Sequence, residues 1–338
     1  MAEKYRKHNI LNASRLSVAP MMDWTDRHCR FFHRVLSRST LLYTEMVTAS
    51  ALARGKADWL LHYDPAEHPV ALQLGGSDPD ELGQAVRFAL PFGYDEINLN
   101  VGCPSDRVQS GRFGAVLMRE PELVARCVDR MRKAAKDTEI TVKCRIGVDD
   151  QDPRHALPAF LDAVSAVGVR RVTIHARKAW LQGLSPKENR EVPPLDYQLV
   201  RDMKNAYPDL HVSINGGVQS LDAAVGHLAA GVDGVMIGRA AYHSPWDILG
   251  RADRRIFGQP DPCSGPENAV RAMLPYVEQQ LSSGDARLHQ ISRHMLGVFA
   301  GRPGARAWRR QLSDQSTRPG AGPEVIEAAL DQMISQAA

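Results

Sequence analysis

The stretch PVALQLGGSDPDELGQAVRFALPFGYDEINLNVG, residues 69–102, contains one complete β-α-β unit. Its two ends are short apolar runs of the kind that form buried strands. Between them, Leu82, Val86 and Leu90 recur every four residues, which predicts an amphipathic helix. Parallel strands that are joined by such a helix form a right-handed crossover. The unit therefore predicts a parallel sheet covered by helices.

The same alternation of a short strand and a helix recurs eight times along the chain. The predicted strands are 16–21, 41–47, 69–75, 96–102, 140–147, 171–177, 211–217 and 234–240. Eight such units within about 250 residues predict an α/β fold of the (β/α)8 TIM barrel type. A doubly wound open sheet is the alternative, but it would place a Gly-x-Gly-x-x-Gly turn early in the chain, and the sequence lacks one.

The pattern changes after Gly258. The segment QPDPCSGP, residues 259–266, has the composition of a linker. Only helical patterns follow it, over 267–283, 288–300, 304–312 and 324–336. We therefore predict a catalytic barrel domain over 1–258, a linker over 259–266 and a small α-helical domain over 267–338.

The composition is that of an ordinary globular protein, with 43% hydrophobic and 24% charged residues among 338. No apolar run is long enough to span a bilayer, and the charged N-terminus lacks the apolar core of a signal peptide. We therefore expect a cytoplasmic protein without membrane contact. The five cysteines form no Cys-x-x-Cys pair, so neither a metal site nor a disulfide is indicated. Nothing indicates a stable protein partner, and we expect a monomer.

Positive charge is concentrated in one part of the chain. The net charge is only +3, but no acidic residue occurs from Ala286 to Ser313. That segment contains Arg287, His289, Arg293, His294, Arg302, Arg306, Arg309 and Arg310. Such a block is a candidate contact for a polyanion, and a solvated helix face explains it equally well.

Polar side chains occur at the C-terminal ends of seven of the eight predicted strands. They are Glu45, Gln73, Asn100, Lys143, Arg145, His175, Arg177, Asn215 and Arg239. A barrel interior normally packs branched apolar side chains in layers, so we expect these polar groups to converge on one mouth of the barrel.

Two of these strand ends are rich in glycine. Asn215-Gly216-Gly217 follows the seventh strand, and Gly238-Arg239 follows the eighth. Loops at these places form the usual phosphate site of the fold, because glycine lets backbone N–H groups approach an anion. Arg239 would add a charge-assisted contact. A tight turn without a ligand is the alternative, and the presence of both loops disfavours it.

Other side chains at the mouth suit a flat, reducible ring. Pro20 and Met21 offer a soft apolar surface, and Gln73 can both donate and accept hydrogen bonds. Lys143 can stabilise a ring that becomes anionic on reduction. A phosphate together with such a ring indicates flavin mononucleotide (FMN).

A candidate reactive thiol, Cys103, lies in the run NLNVGCPS at residues 98–105, just past the end of the predicted fourth strand. Barrel enzymes place their chemistry at such strand ends. A loop cysteine is more often an inert small hydrophobic residue, so position alone does not assign the role.

Several runs of the sequence resemble those of a known protein family. The runs VAPMMDWTDRHCR, YTEM, HPVALQLGG, EINLNVGCPSDRV, TVKCRIG, TIHAR, SINGG and GVMIGRA closely resemble those of the tRNA-dihydrouridine synthases. The runs GLSPKENREVPPLDY and SRHMLGVFAGRPGARAWRR resemble the A-type branch. The resemblance covers nearly the whole chain. It implies an FMN-binding barrel with a helical tRNA-binding domain, which reduces uridine to dihydrouridine at positions 20 and 20a of the tRNA D-loop.

The resemblance also implies roles for individual residues. Cys103 matches the proton donor, and Asn100 matches a contact to the target nucleotide. The matching FMN contacts are Pro20, Met21, Met22, Gln73, Lys143, His175, Asn215, Gly216, Gly217, Gly238 and Arg239. NADPH as the reductant is inferred from the resemblance alone. Cys144 departs from the small hydroxyl residue common in relatives, and strand alternation predicts that it points away from the mouth.

The predicted substrate is a base inside folded tRNA, which must be unstacked before it reaches the barrel. Candidate phosphate contacts are Lys178, Lys187 and Arg190 after the sixth strand, and Arg293, His294, Arg302 and Arg306 in the helical domain. Three alternatives stay open at this point. They are an FMN-dependent reductase of a free pyrimidine or other small enone, a Schiff-base lyase that uses Lys143, and a non-catalytic RNA-binding protein.

Overall fold

A computed structural model describes residues 10–55, 57–105, 108 and 111–337. Its strands are β1 (Leu16–Val18), β2 (Leu41–Thr48), β3 (Val70–Gly75), β4 (Glu96–Val101), β5 (Glu139–Arg145), β6 (Arg171–His175), β7 (His211–Asn215) and β8 (Gly234–Ile237). They are parallel and close into a barrel in sequence order, with β8 pairing with β1. The predicted TIM barrel is confirmed.

Helices surround the barrel. They are α1 (Arg27–Leu36), α2 (Ala49–Ala53), α3 (Pro79–Ala89), α4 (Pro121–Ala135), α5 (Pro153–Ala166), α6 (Tyr197–Ala206), α7 (Leu221–Ala229), α8 (Arg239–His243) and α9 (Pro245–Leu249). Short 3-10 turns lie at Asp58–Leu61, Pro65–Glu67, Leu90–Phe92, Gly114–Arg119 and Glu188–Arg190, and a π-turn lies at Asp253–Phe257.

Helix α3 shows how the sequence sets these boundaries. The Asp78 side chain accepts hydrogen bonds from the backbone N–H groups of Asp80 and Glu81, so it caps the first turn. Leu82 and Val86 are buried against the strands, as their spacing predicts. Cys144 on β5 is likewise buried in this outer core, which confirms that it points away from the mouth.

The chain is helical beyond the barrel. The helices there are α10 (Pro266–Ser282), α11 (Leu288–Ser292), α12 (Ala305–Gln315) and α13 (Pro323–Ala337). The single helix predicted over 288–300 is wrong. Helix α11 ends at Ser292, and a 3-10 turn and irregular turns follow it. The break brings Gly297 against the backbone of His243, a close approach that leaves no room for a Cβ.

The C-terminal helices attach beside α1. Tyr276 of α10 stacks on Phe31 with ring centroids 3.8 Å apart, and its hydroxyl lies 2.8 Å from His28 Nδ1. Asp26 caps α1 and pairs with Arg293 at 2.6 Å. Helix α1 begins at the C-terminal end of the barrel strands. These contacts form the junction between the C-terminal helices and the barrel. They place those helices next to the mouth.

The barrel interior is more polar than expected. Its buried polar residues are Ser17, Tyr43, Glu96, Asn98, Thr141, Arg171, Thr173 and Ser213, and half-buried His211 lines the same interior. Arg171 is paired with Glu96, which also accepts a hydrogen bond of 2.5 Å from the Tyr43 hydroxyl. The expectation of apolar layers is wrong, because inward positions of β4 to β7 carry polar side chains that pair with one another.

We predict that Arg171→Met lowers the free energy of unfolding by about 3–5 kcal/mol, because it leaves the Glu96 carboxylate buried without its cation. Urea unfolding measures this change. The matched control is Arg130, which forms an exposed ion pair with Asp80 at an N–O distance of 2.9 Å. Arg130→Met is expected to lower the free energy of unfolding by under about 1 kcal/mol. Adding Glu96→Gln to Arg171→Met should recover part of the loss. Equal costs for the two arginine variants would contradict the prediction.

Candidate active site

The parallel register aligns polar residues at the mouth. Asn100 of β4 lies opposite Lys143 of β5. Arg145 lies opposite His175 of β6, which lies opposite Asn215 of β7. Polar side chains of four neighbouring strands are thus brought to the same end of the barrel.

The loop that carries Cys103 is fixed by Asn100. The Asn100 side-chain oxygen accepts hydrogen bonds from the backbone N–H groups of Gly102 (3.0 Å) and Cys103 (2.9 Å). The Cys103 carbonyl accepts from the N–H of Ala115 at 2.8 Å. The half-buried thiol donates to the Ser105 hydroxyl at 3.4 Å. Cys103 is therefore held on both sides, with its sulfur accessible at the end of β4.

A chain of side-chain amides runs inward from this loop. Asn100 Nδ2 donates to Gln73 Oε1 at 2.9 Å, and Gln73 Nε2 donates to Asn98 Oδ1 at 2.9 Å. Asn98 then donates to the Thr141 hydroxyl at 2.8 Å. Each amide of Gln73 and Asn100 keeps one further N–H, since an amide nitrogen carries two. Asn98 did not stand out in the sequence, because only contacts across strands show its role.

Lys143, opposite Asn100 in the strand register, places a cation at the mouth. Its ammonium donates to Asn215 Oδ1 at 3.1 Å, and Asn215 Nδ2 donates to the Met236 carbonyl at 2.8 Å. Burial and the charge of Arg145 lower the pKa of Lys143 to about 8. Lys143 is therefore cationic at neutral pH and loses its proton under mildly alkaline conditions.

His175 borders the glycine turn after β7. Gly216 and Gly217 have φ values of +104° and +67°, and a Cβ on Gly216 would lie 3.0 Å from His175 Cε1. Burial, and then the charges of Arg145 and Lys143, hold the pKa of His175 well below its usual value, so the ring is neutral. Its buried Nδ1 has no hydrogen-bond partner within the described residues. Such an atom suits a bound polar ligand.

The loop after β8 offers an open backbone. A Cβ on Gly238 would meet no protein atom closer than 3.6 Å, and the nearest are Ala19 Cβ and Met21 Sδ. Arg239 pairs with Glu191 at 2.5 Å, which leaves further guanidinium N–H groups for a phosphate. The following helix α8 has only five residues, so its dipole adds little.

The residues after β1 separate into two environments. Met21 and Pro20 are half-buried, and the backbone N–H of Met21 donates to the Thr25 hydroxyl at 3.0 Å. Met22 exposes 56% of its surface. Met21 therefore borders the Gly238 turn, whereas Met22 extends toward solvent.

A sequence model of the family described as dihydrouridine synthase matches residues 17–337. The chain belongs to this family. Membership indicates a flavin-dependent enzyme, and the predicted family is confirmed.

Proteins similar to this family member include two named tRNA-dihydrouridine(20/20a) synthase. The protein from Vibrio cholerae is 56% identical over 328 residues, which cover 97% of this chain and 99% of that protein. The protein from Escherichia coli strain K12 is 57% identical over 325 residues, which cover 96% and 93%. Among solved structures, an old yellow enzyme homologue from Zymomonas mobilis has a TM-score of 0.51 at 13% identity, over 73% of this chain and 89% of that one. That likeness supports the barrel fold alone.

Arg145 joins two loops of this dihydrouridine synthase at the mouth. The buried guanidinium donates to the carbonyls of Gly102 (3.1 Å), Lys178 (3.2 Å) and Asn189 (3.0 Å). It therefore ties the Cys103 loop to the loop that follows β6. The sequence marks Arg145 as a polar strand end, but its carbonyl partners come from distant loops and no pattern reveals them.

The predicted tRNA contacts fall into different environments. Lys187 and Arg190 are exposed on the loop after β6, and Arg306 is exposed on α12. Lys178 is half-buried, with its ammonium 5.4 Å from the Trp180 ring centroid.

The other three candidates lie at the junction with the barrel. His294 is 1% exposed and pairs with Asp26 at 3.0 Å, so its prediction as a phosphate contact is wrong. Arg293 also pairs with Asp26, and Arg302 pairs with Asp247 at 2.8 Å. These two arginines are partly engaged in holding the C-terminal helices.

Neither a metal site nor a membrane-spanning helix is present in the described part of the chain. It contains no cluster of three or more residues that could hold a metal ion. None of its helices combines the length and apolarity that crossing a bilayer requires.

We predict that Asn100→Ala speeds hydrogen exchange at the amides of Gly102 and Cys103 by at least about ten-fold, because these N–H groups lose their shared acceptor. Hydrogen–deuterium exchange with mass spectrometry measures this effect. Asn268→Ala, which removes an exposed side-chain bond to Ser264, is the control and should leave these amides unchanged. Unaltered exchange in Asn100→Ala would show that the loop is held in some other way.

Proposed function

We propose that this protein reduces the C5=C6 bond of uridine at positions 20 and 20a of the tRNA D-loop, with FMN as cofactor and NADPH as reductant. The observation that carries this proposal is that the fixed Cys103 loop and the glycine turns after β7 and β8 lie at the same mouth of the barrel. The names of the full-length relatives support the substrate and the positions.

The residues at the mouth fit FMN. The open backbone at Gly238, the left-handed glycine turn at Gly216 and Gly217, and the Arg239 guanidinium suit the phosphate. Gln73 and the unpartnered nitrogen of His175 suit the polar edge of the ring, and Asn215 orients the Lys143 ammonium. Pro20, Met21 and Met22 supply apolar surface. When bound, FMN that NADPH has reduced supplies the electrons for reduction at C6 of uracil.

Cys103 supplies the proton that C5 requires. A thiol is a suitable general acid, because in ordinary surroundings it is largely protonated at neutral pH. Asn100 fixes the Cys103 backbone, and Ser105 receives the S–H bond, so the acid has a defined position before the base arrives. Asn100 acts here chiefly as a positioning residue, with one N–H left for the target nucleotide.

The enzyme must bind the tRNA while the target base is unstacked. Exposed Lys187, Arg190 and Arg306 are the candidate phosphate contacts, and half-buried Lys178 adds to them. The junction at Asp26 keeps the C-terminal helices beside the mouth, which suits a tRNA-binding domain over 267–338. We further infer a cytoplasmic monomer, since tRNA modification requires neither a membrane nor a second subunit.

We predict that Cys103→Ala retains yellow FMN and NADPH oxidation but lowers dihydrouridine formation by about 100-fold or more, because the general acid is lost. Mass spectrometry of an unmodified tRNA transcript after incubation measures the product. Cys263→Ala, at the other half-exposed thiol, is the control and should match wild type. Wild-type rates in Cys103→Ala would remove the acid assignment. Equal kcat/KM for free uridine and tRNA would favour a small-substrate reductase.

We predict that the affinity for FMN falls as pH rises through the pKa of Lys143, because the ammonium is present below about 8 and lost above it. Fluorescence titration of the apoprotein with FMN between about pH 7 and 9 measures this, a window in which the FMN phosphate stays ionised. Lys143→Gln should bind more weakly at pH 7 and show a flatter profile. Lys204→Gln, whose pair with Asp233 lies outside the mouth, is the control. Parallel profiles in Lys143→Gln and wild type would contradict the prediction.

A further inference from the structure

Trp180, on the loop after β6, is unusually exposed for a tryptophan, at 41% of its surface. Trp246 and Trp308 are buried, and Trp24 stacks on Tyr242 with ring centroids 4.5 Å apart. Within the described chain, only Trp59 is a comparably exposed tryptophan. A large apolar ring left in water indicates a surface that contacts something else.

The loop holds the backbone of Trp180 in place. The Asn189 side chain is fully buried and accepts from the Trp180 N–H at 2.7 Å, and it donates to the Trp180 carbonyl at 2.8 Å. The next N–H, of Leu181, donates to Asp149 at 2.8 Å. The loop is therefore fixed at the position that exposes Trp180, so a ligand that stacks on the ring does not have to order this backbone.

The ring belongs to the mouth. One guanidinium, that of Arg145, bonds both the Gly102 carbonyl and the Lys178 carbonyl. Gly102 precedes Cys103, and Lys178 is two residues before Trp180. The Trp180 loop and the reactive thiol are thus anchored to the same side chain.

The charge around the ring identifies its partner. The Lys178 ammonium lies 5.4 Å from the ring centroid, and Lys187 and Arg190 are exposed on the same loop. An aromatic ring with a cation beside it, on a loop that carries further cations, matches a nucleobase and its phosphates, since bases stack on aromatic side chains while cations bind the backbone.

We propose that Trp180, together with Lys178, forms a stacking platform for a nucleobase of the tRNA that flanks the reduced uridine. The identity of this RNA rests on the proposed function. The platform compensates for the stacking that the D-loop loses when the target base is withdrawn.

Binding of an unmodified tRNA transcript to the oxidised holoenzyme tests this proposal without turnover. Trp180→Leu should raise the dissociation constant about ten-fold or more, and Trp180→Phe should stay within about three-fold of wild type, because it keeps an aromatic face. Trp59→Leu is the matched control and should bind as wild type. Dissociation constants for Trp180→Leu and Trp59→Leu that both equal wild type would overturn the platform.

Tryptophan fluorescence reports stacking directly. Saturating tRNA should quench wild-type and Trp59→Phe emission to a similar extent, and should quench Trp180→Phe markedly less. Equal quenching in the two variants would overturn the proposal even if Trp180→Leu were misfolded. If Trp180→Leu instead changes the sedimentation coefficient of the free enzyme, the ring contacts a second copy of the chain, and the proposal is wrong.

The proposed function is judged separately, by dihydrouridine formation in the wild-type protein. Product formation with unchanged binding by Trp180→Leu would overturn the platform alone. Tight tRNA binding that depends on Trp180, without product, would overturn the proposed reaction and leave the platform standing.

Discussion

The candidate site depends on one buried guanidinium. Arg145 donates to carbonyls of three separate loop positions, at Gly102, Lys178 and Asn189. Burial lowers its pKa to about 10, so it is still cationic at neutral pH. A cation that is desolvated in this way is stable only while its hydrogen bonds are made. The loops are therefore held together, because separating them would leave the charge buried without partners.

The same charge sets the electrostatics of the mouth. Burial lowers the pKa of both His175 and Lys143, and the charge of Arg145 adds to both effects, so His175 is neutral. The result is a fixed positive charge beside a neutral imidazole, which suits a cofactor with an anionic phosphate and a polar ring edge. The polyanionic substrate approaches the same positive field.

The sequence predicted the architecture well and the contacts less well. Strand and helix positions follow from local periodicity, so the barrel and the helix starting at Pro79 could be predicted from the sequence. The C-terminal ends of parallel strands meet at one mouth of the barrel, and this predicted that Cys103, Lys143 and Asn215 lie at the same end. The polar interior was missed, because the pairing of Arg171 with Glu96 joins β6 to β4 and leaves no local pattern. Only the folded chain shows that inward polar groups have partners.

The basic segment from Ala286 to Ser313 shows why charge alone misleads. The sequence does not distinguish its arginines and histidines from one another, but in the folded chain some are paired and others are exposed. His294 and Arg293 converge on Asp26, and Arg302 reaches Asp247, so these side chains join the C-terminal helices to the barrel. Arg306 is left exposed on α12, the helix that buries Trp308. Side chains that hold this junction have part of their hydrogen-bonding capacity already used. The run of basic letters therefore overstates how much of the segment is free to bind a polyanion.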